Sequence, residues 1–198
     1  MNNFNKCIEL KPTYIEAYHS RGNTNFDLGN YEEAIRDFTK CIQLDKNEAV
    51  LYYSRGNIYS YLEKYEEAIK DYNKAIELDN SCIDAYVNRG LTKYYMKQYD
   101  EALKDLSKVI ELDPFNYYTY NNRGIVKYEL KDYQGAIEDF NKSIELNPFY
   151  AHPYFNRGDV KYELGLYKEA LEDYNKTIEL DDSCIEAHQK IKDIKIKF

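Results

Sequence analysis

The chain has 198 residues, a net charge of −8, 43% hydrophobic content, 23 tyrosines and no tryptophan. Its 35 acidic against 27 basic side chains disfavour a general nucleic-acid binder, because phosphate affinity depends on clustered Lys and Arg. An aromatic content of 16% excludes a disordered acidic tail, since so many rings need a core to pack in.

The opening residues Met1-Asn2-Asn3-Phe4 show no basic segment with an apolar run behind it, so no signal peptide is expected. No stretch approaches the roughly 20 apolar residues of a membrane span. The expectation is a cytoplasmic, reducing setting with no membrane partner. Residues 1–14 predict one helix, with Phe4, Cys7 and Leu10 in register and Pro12 as its stop.

From residue 15 onward a period of 34 governs the chain. Arg-Gly recurs at 21–22, 55–56, 89–90, 123–124 and 157–158. With the glycine as position 8, five units span 15–48, 49–82, 83–116, 117–150 and 151–184, leaving 14 residues at each end. Position 4 is always Tyr (18, 52, 86, 120, 154), and so is position 17 (31, 65, 99, 133, 167). Position 20 is always Ala (34, 68, 102, 136, 170) and position 30 always Leu. Apolar residues such as Ala68, Ile69, Tyr72, Ala75 and Ile76 recur at helical spacing in the second half of the unit. Position 24 holds Phe38, Tyr72, Phe140 and Tyr174, with Leu106 as the exception. Pro114 and Pro148 follow a helix, and Pro153 falls in a first turn, where proline is tolerated.

This framework resembles the tetratricopeptide (TPR) repeat, whose 34-residue unit is a pair of antiparallel helices, A and B. The resemblance covers the whole chain. It implies an all-α, right-handed α-solenoid, a TPR superhelix of about twelve helices forming one array. Residues 1–14 are then a helix B without its helix A; either the protein starts there or the chain is a piece of a longer array, the second being favoured. Residues 185–198 read as a capping helix, with Ile185, Ile191, Ile194 and Phe198 covering the last unit and Lys190, Lys192, Lys195 and Lys197 in water.

Position 7 is always arginine (Arg21, Arg55, Arg89, Arg123, Arg157) and position 23 always aspartate (Asp37, Asp71, Asp105, Asp139, Asp173). The spacing predicts Arg–Asp pairs, within a unit or between neighbours, with a structural role favoured over a guanidinium ladder for an acidic ligand. Lys142 and Lys176 are expected to form i,i+4 pairs with Glu138 and Glu172. Cys7 and Cys41 share position 27, read as a small buried slot. Cys82 and Cys184 lie between units, and no cysteine pair has metal-ligand spacing.

The resemblance implies that helix-A positions 2, 5, 6, 9, 12 and 13 line a concave groove. A polar row there comprises Ser20, Ser54, Asn88, Asn122 and Asn156, with Asn23 and Asn57 beside it. Asn suits the alternating donors and acceptors of an extended peptide, and a similar ladder serves the O-GlcNAc transferase family; plain solvated residues are the alternative. An aromatic band holds Phe26, Tyr53, Tyr61, Tyr94, Tyr95, Tyr118, Tyr128, Phe155 and Tyr162, facing either a partner or neighbouring repeats. Glu16, Asp27, Asp84, Glu129, Asp159 and Glu163 stand at these positions without any Lys or Arg, which favours a neutral or basic ligand. Chaperone co-factors of this family use a Lys/Asn/Arg clamp for the C-terminal carboxylate of heat-shock chaperones. Here its cationic places fall on Tyr53, Tyr118 and Asn122, so that partner is not expected.

No phosphate loop, HExxH or nucleophile elbow occurs, so no catalysis, cofactor or metal is expected. The function expected is a protein–protein adaptor binding a peptide segment in this groove. The alternatives are self-association through the terminal helices, or a targeting array of a larger protein or enzyme.

Overall fold

In this computed structural model residues 2–197 are described, with the side chains of residues 3–196. These residues form twelve α-helices and no strand. They are α1 (Asn2–Leu10), α2 (Ile15–Asp27), α3 (Tyr31–Leu44), α4 (Ala49–Tyr61), α5 (Tyr65–Leu78), α6 (Ile83–Tyr95), α7 (Tyr99–Leu112), α8 (Tyr117–Glu129), α9 (Tyr133–Leu146), α10 (His152–Glu163), α11 (Tyr167–Leu180) and α12 (Ile185–Lys197). The chain divides into two compact units between Lys97 and Gln98, so α1–α6 belong to the first and α7–α12 to the second.

Helices α3, α5, α7, α9 and α11 start at the position-17 tyrosine, and all of these but α9 carry acids in the first turn, such as Glu32, Glu33, Glu66 and Glu67, where they offset the helix dipole. The turn before it bends through a left-handed residue at position 15. Glycine takes that conformation in the first and fifth repeats (Gly29 φ 76°, Gly165 φ 75°), but Glu63, Lys97 and Lys131 adopt it at φ 58–64°. Helix B ends in an extended Asp or Asn at position 31, whose side chain accepts the N–H two residues on. Asp45 caps Asn47, Asp79 caps Ser81 and Asp181 caps Ser183 in this way.

Packing inside a repeat turns on position 8. The alanines at position 20 are fully buried and Phe38, Tyr72, Phe140 and Tyr174 nearly so. These rings press on the facing glycine: a Cβ on Gly22 would lie 3.1 Å from Phe38, on Gly56 2.9 Å from Tyr72 and on Gly124 2.6 Å from Phe140. A larger residue there would require the facing ring to give way.

The ends correct several expectations. Cys7 is exposed whereas Cys41 is buried, because α1 has no helix A among the described residues to close its slot. On α12, Ile191 and Ile194 join the core with Ala187, but Ile185 is 77% exposed and covers nothing. Lys190 does not simply face water: its Nζ lies 2.9 Å from Asp159 and above the Tyr162 ring. Lys192 and Lys195 are exposed, while Phe198 and the Lys197 side chain lie outside the described residues.

Candidate functional site

The interior of each repeat is organised by a carboxylate at position 23. Asp37, Asp71, Asp139 and Asp173 are buried, each holding an arginine from helix A by two hydrogen bonds. Arg55, for example, donates Nε at 2.7 Å and Nη2 at 2.8 Å to Asp71. The acid's hydrogen bond dominates the upward pKa shift of Arg21 and Arg123; at Arg55 burial pulls the other way, but the hydrogen bond and charge of Asp71 together leave the pKa raised. The remaining Nη1 reaches back to position 25 of the preceding helix B: Arg21 to Asn5, Arg55 to Thr39, Arg89 to Asn73, Arg123 to Ser107 and Arg157 to Asn141. One guanidinium therefore serves its own repeat and the seam to the one before.

Position 11 adds a partner that the sequence reading missed. Lys127 Nζ stands 2.8 Å from Asp139 and Lys161 Nζ 2.7 Å from Asp173. These lysines face inward beside the arginine, and the helical spacing of 4 from position 7 to position 11 was the available signal. Lys142 and Lys176 pair with Glu145 and Glu179 at i,i+3, not with Glu138 and Glu172.

The helix-A face with positions 2, 5, 6, 9, 12 and 13 differs from a free asparagine ladder. In the first unit Asn57 Oδ1 accepts from Tyr72 Oη at 2.8 Å and from Asn88 Nδ2 at 2.9 Å. Asn88 also approaches Tyr53 Oη at 3.4 Å. In the second unit Asn156 Nδ2 donates to Asn121 at 2.9 Å. Asn122 is buried, with no hydrogen-bond partner for its Nδ2 among the described residues. Asn23 is exposed. Asn57, Asn88 and Asn156 thus spend hydrogen bonds on neighbouring helices.

The position-12 rings pack back on helix B. Phe26 meets Tyr31, Tyr128 meets Tyr133 and Tyr162 meets Tyr167. Position 13 is open. Tyr61 is 63% and Tyr95 62% exposed, each resting on a position-17 ring: Tyr61 on Tyr31 at 4.9 Å, Tyr95 stacked on Tyr65 at 6.2 Å. Tyr95 also meets Tyr94 edge-on. Between Tyr61 and Tyr95 opens a cleft of ≈ 500 Å³, floored by Asn57, Asn88 and Leu91. Glu16 and Asp84 are exposed on the same helix-A face.

In the second unit the equivalent position is Glu129 and Glu163, both exposed. Tyr128 lies among them, and burial, then Glu163 and Asp159, push its phenol up to about 12. Asp159 is already engaged, by Lys190 and by the hydroxyl of Tyr174 at 2.7 Å. Tyr118 is 46% exposed beside Tyr150. Among the described residues no group of His, Cys, Asp and Glu is placed to hold a metal ion, and no helix is long and apolar enough to cross a membrane.

The tetratricopeptide repeat pattern matches residues 15–48, 49–82, 83–116, 117–150 and 151–184. The chain belongs to that family and is an all-α protein of the helix-pair solenoid class. Among solved structures it is similar to YrrB, described as a TPR protein with an unusual peptide-binding site, at 24% identity and a TM-score of 0.76 over 96% of this chain and 97% of that one. It is also similar to MamA from Desulfovibrio magneticus RS-1, at 24% identity and a TM-score of 0.79 over 86% and 96% of the two chains. The Cut9–Hcn1 structure gives 19% identity and a TM-score of 0.77, over 98% of this chain and 39% of that one. No curated protein sequence matches the chain. Family and fold together support a protein–protein interaction scaffold.

Proposed function

We propose that the chain is a non-catalytic cytoplasmic adaptor that captures a neutral or basic peptide segment on its helix-A face. The observation that carries this reading is the pair of exposed rings, Tyr61 and Tyr95, flanking a ≈ 500 Å³ cleft in the first unit. Each ring is held by an aromatic neighbour, so it is presented to a partner with little conformational freedom left to lose. Aromatic anchors of this kind dominate binding energy at protein interfaces. The carboxylates Glu16, Asp84, Glu129 and Glu163 add a negative field that disfavours acidic ligands. The ligand is therefore neither nucleic acid nor the C-terminal carboxylate of a heat-shock chaperone.

The test is capture of binding proteins from the source lysate on immobilised chain, compared with Tyr61→Ser/Tyr95→Ser, whose fold is checked by circular dichroism. Loss of specific partners by at least ~10-fold is expected, the scale of a two-anchor deletion. Equal capture by a folded double variant removes the groove from consideration.

A further inference from the structure

The repeats use position 11 differently, and the difference leaves a socket. Asp139 and Asp173 each hold an arginine and a lysine together. Asp37 holds Arg21 with the same two hydrogen bonds, at 2.9 and 2.6 Å, but position 11 there is Asn25. Its Nδ2 reaches Asp37 Oδ2 at a long 3.2 Å. Its Oδ1 is buried in a side chain only 2% exposed and accepts nothing from the described residues. A buried acceptor without a donor is unfavourable. An asparagine also ends well short of a lysine ammonium. A cavity of ≈ 440 Å³ opens at this spot, bordered by Asn25, Asp37, Arg21 and Tyr18.

We propose that this cavity binds a primary ammonium group, which displaces the long Asn25 Nδ2 contact from Asp37 Oδ2 and takes the place that Lys127 and Lys161 give their own Nζ. Asp37 Oδ2 and Asn25 Oδ1 are its acceptors. Asp139 and Asp173 carry two cations each, whereas Asp37, like Asp71, carries one arginine. Glu33 and Arg36, also at the rim, neutralise each other at 2.5 Å. Lys40 lines the mouth and opposes the ligand. Position 29 is Gln43 in this repeat, whereas Lys74, at the equivalent place in the next, has Glu77 at 2.7 Å. The site uses no residue of the helix-A face bearing Tyr61 and Tyr95, so it stands or falls independently of the peptide groove. Its occupant is a lysine side chain of a partner or a free alkylamine, two sources of one chemistry.

The test follows the side-chain amide of Asn25 by nuclear magnetic resonance in the full chain. The peak is identified by its loss in Asn25→Lys. Titration with n-butylammonium chloride is expected to give a saturating shift, and tetramethylammonium chloride, which has no N–H, none beyond that of sodium chloride. Lys40→Gln should tighten the butylammonium response. Nα-acetyl-lysine methylamide binding more tightly than butylammonium assigns the site to a partner's lysine, and equal binding assigns it to free amines. Asn25→Lys supplies the ammonium internally, abolishes the response and should raise Tm by about 2–4 °C. Shifts that track ionic strength alike in all three salts overturn the proposal and leave the cavity to water. An unchanged or lowered Tm in Asn25→Lys, with circular dichroism showing a folded chain, also overturns it.

Discussion

Position 13 of the repeat is a tyrosine in the second and third repeats, at Tyr61 and Tyr95 of the first unit, and an acid in the others, at Asp27 of the first unit and Glu129 and Glu163 of the second. Around it the two units are alike. Position-12 rings lean on position-17 rings in both, and Arg–Asp pairs fill both interiors. The first unit therefore offers open aromatic surface beside a cleft, and the second offers exposed carboxylates around a half-buried phenol. A framework held constant while one exposed position alternates between ring and acid is what a recognition surface requires and what a merely stacked core does not. The lesson extends inward to position 11, where the first repeat breaks the pattern of the fourth and fifth.

The largest expected effect tests that inward difference. Asp173→Ala leaves Arg157 and Lys161, both less than one-fifth exposed, together without their acid. Removing one partner of such a buried group costs about 3–5 kcal/mol, read as a lowered urea midpoint. Asp37→Ala strands Arg21 alone and should cost distinctly less. Equal losses would mean that the position-11 lysine adds nothing.

A smaller effect concerns the acid-lined phenol. Tyr128 and Tyr150 are both pushed up to about 12, first by burial. The second cause is carboxylate at Tyr128 and neighbouring tyrosine at Tyr150. An unfolded phenol ionises near 10. Because the folded state holds its proton longer, this stabilisation is complete below pH 10 and is lost as pH rises toward 12. The unfolding midpoint should fall across that window, with tyrosinate absorbance rising late. Glu129→Gln/Glu163→Gln should move the Tyr128 titration to lower pH and leave Tyr150 in place.

The smallest effect separates the repeats by their turns. Lys131 takes the left-handed conformation that Gly29 takes at no steric cost. Lys131→Gly should therefore raise stability by up to about 1 kcal/mol, seen as a higher Tm. Gly29→Ala should lower it, although its Cβ would meet no atom within 4 Å.

Much of the fold was written in the 34-residue period. Gly22, Ala34 and Phe38 recur in phase because helix contact demands small residues against large ones, and that constraint is visible in one dimension. The groove face was less legible. Spacing places Asn57, Asn88 and Asn156 on one side of helix A, but it does not say whether a neighbouring helix has already taken their hydrogen bonds. It also missed Lys127 and Lys161, since a lysine on a helix face looks alike whether its long stem runs outward or folds toward a carboxylate. The exposure of Cys7 and Ile185 depended on what stands opposite them, which periodicity does not encode. The socket beside Asn25 became apparent only from comparing the same position across repeats in three dimensions.

The arginine at position 7 has one more consequence. Its charge is balanced inside its own repeat, and across the seam it offers only a neutral hydrogen bond, as from Arg55 to Thr39 or Arg157 to Asn141. A block of 34 residues can thus be duplicated or excised in the gene without stranding a buried charge on either side of the cut. The ion pair that fixes each module is the same feature that makes the modules interchangeable, and it gives such a chain a low-risk route to changing its length.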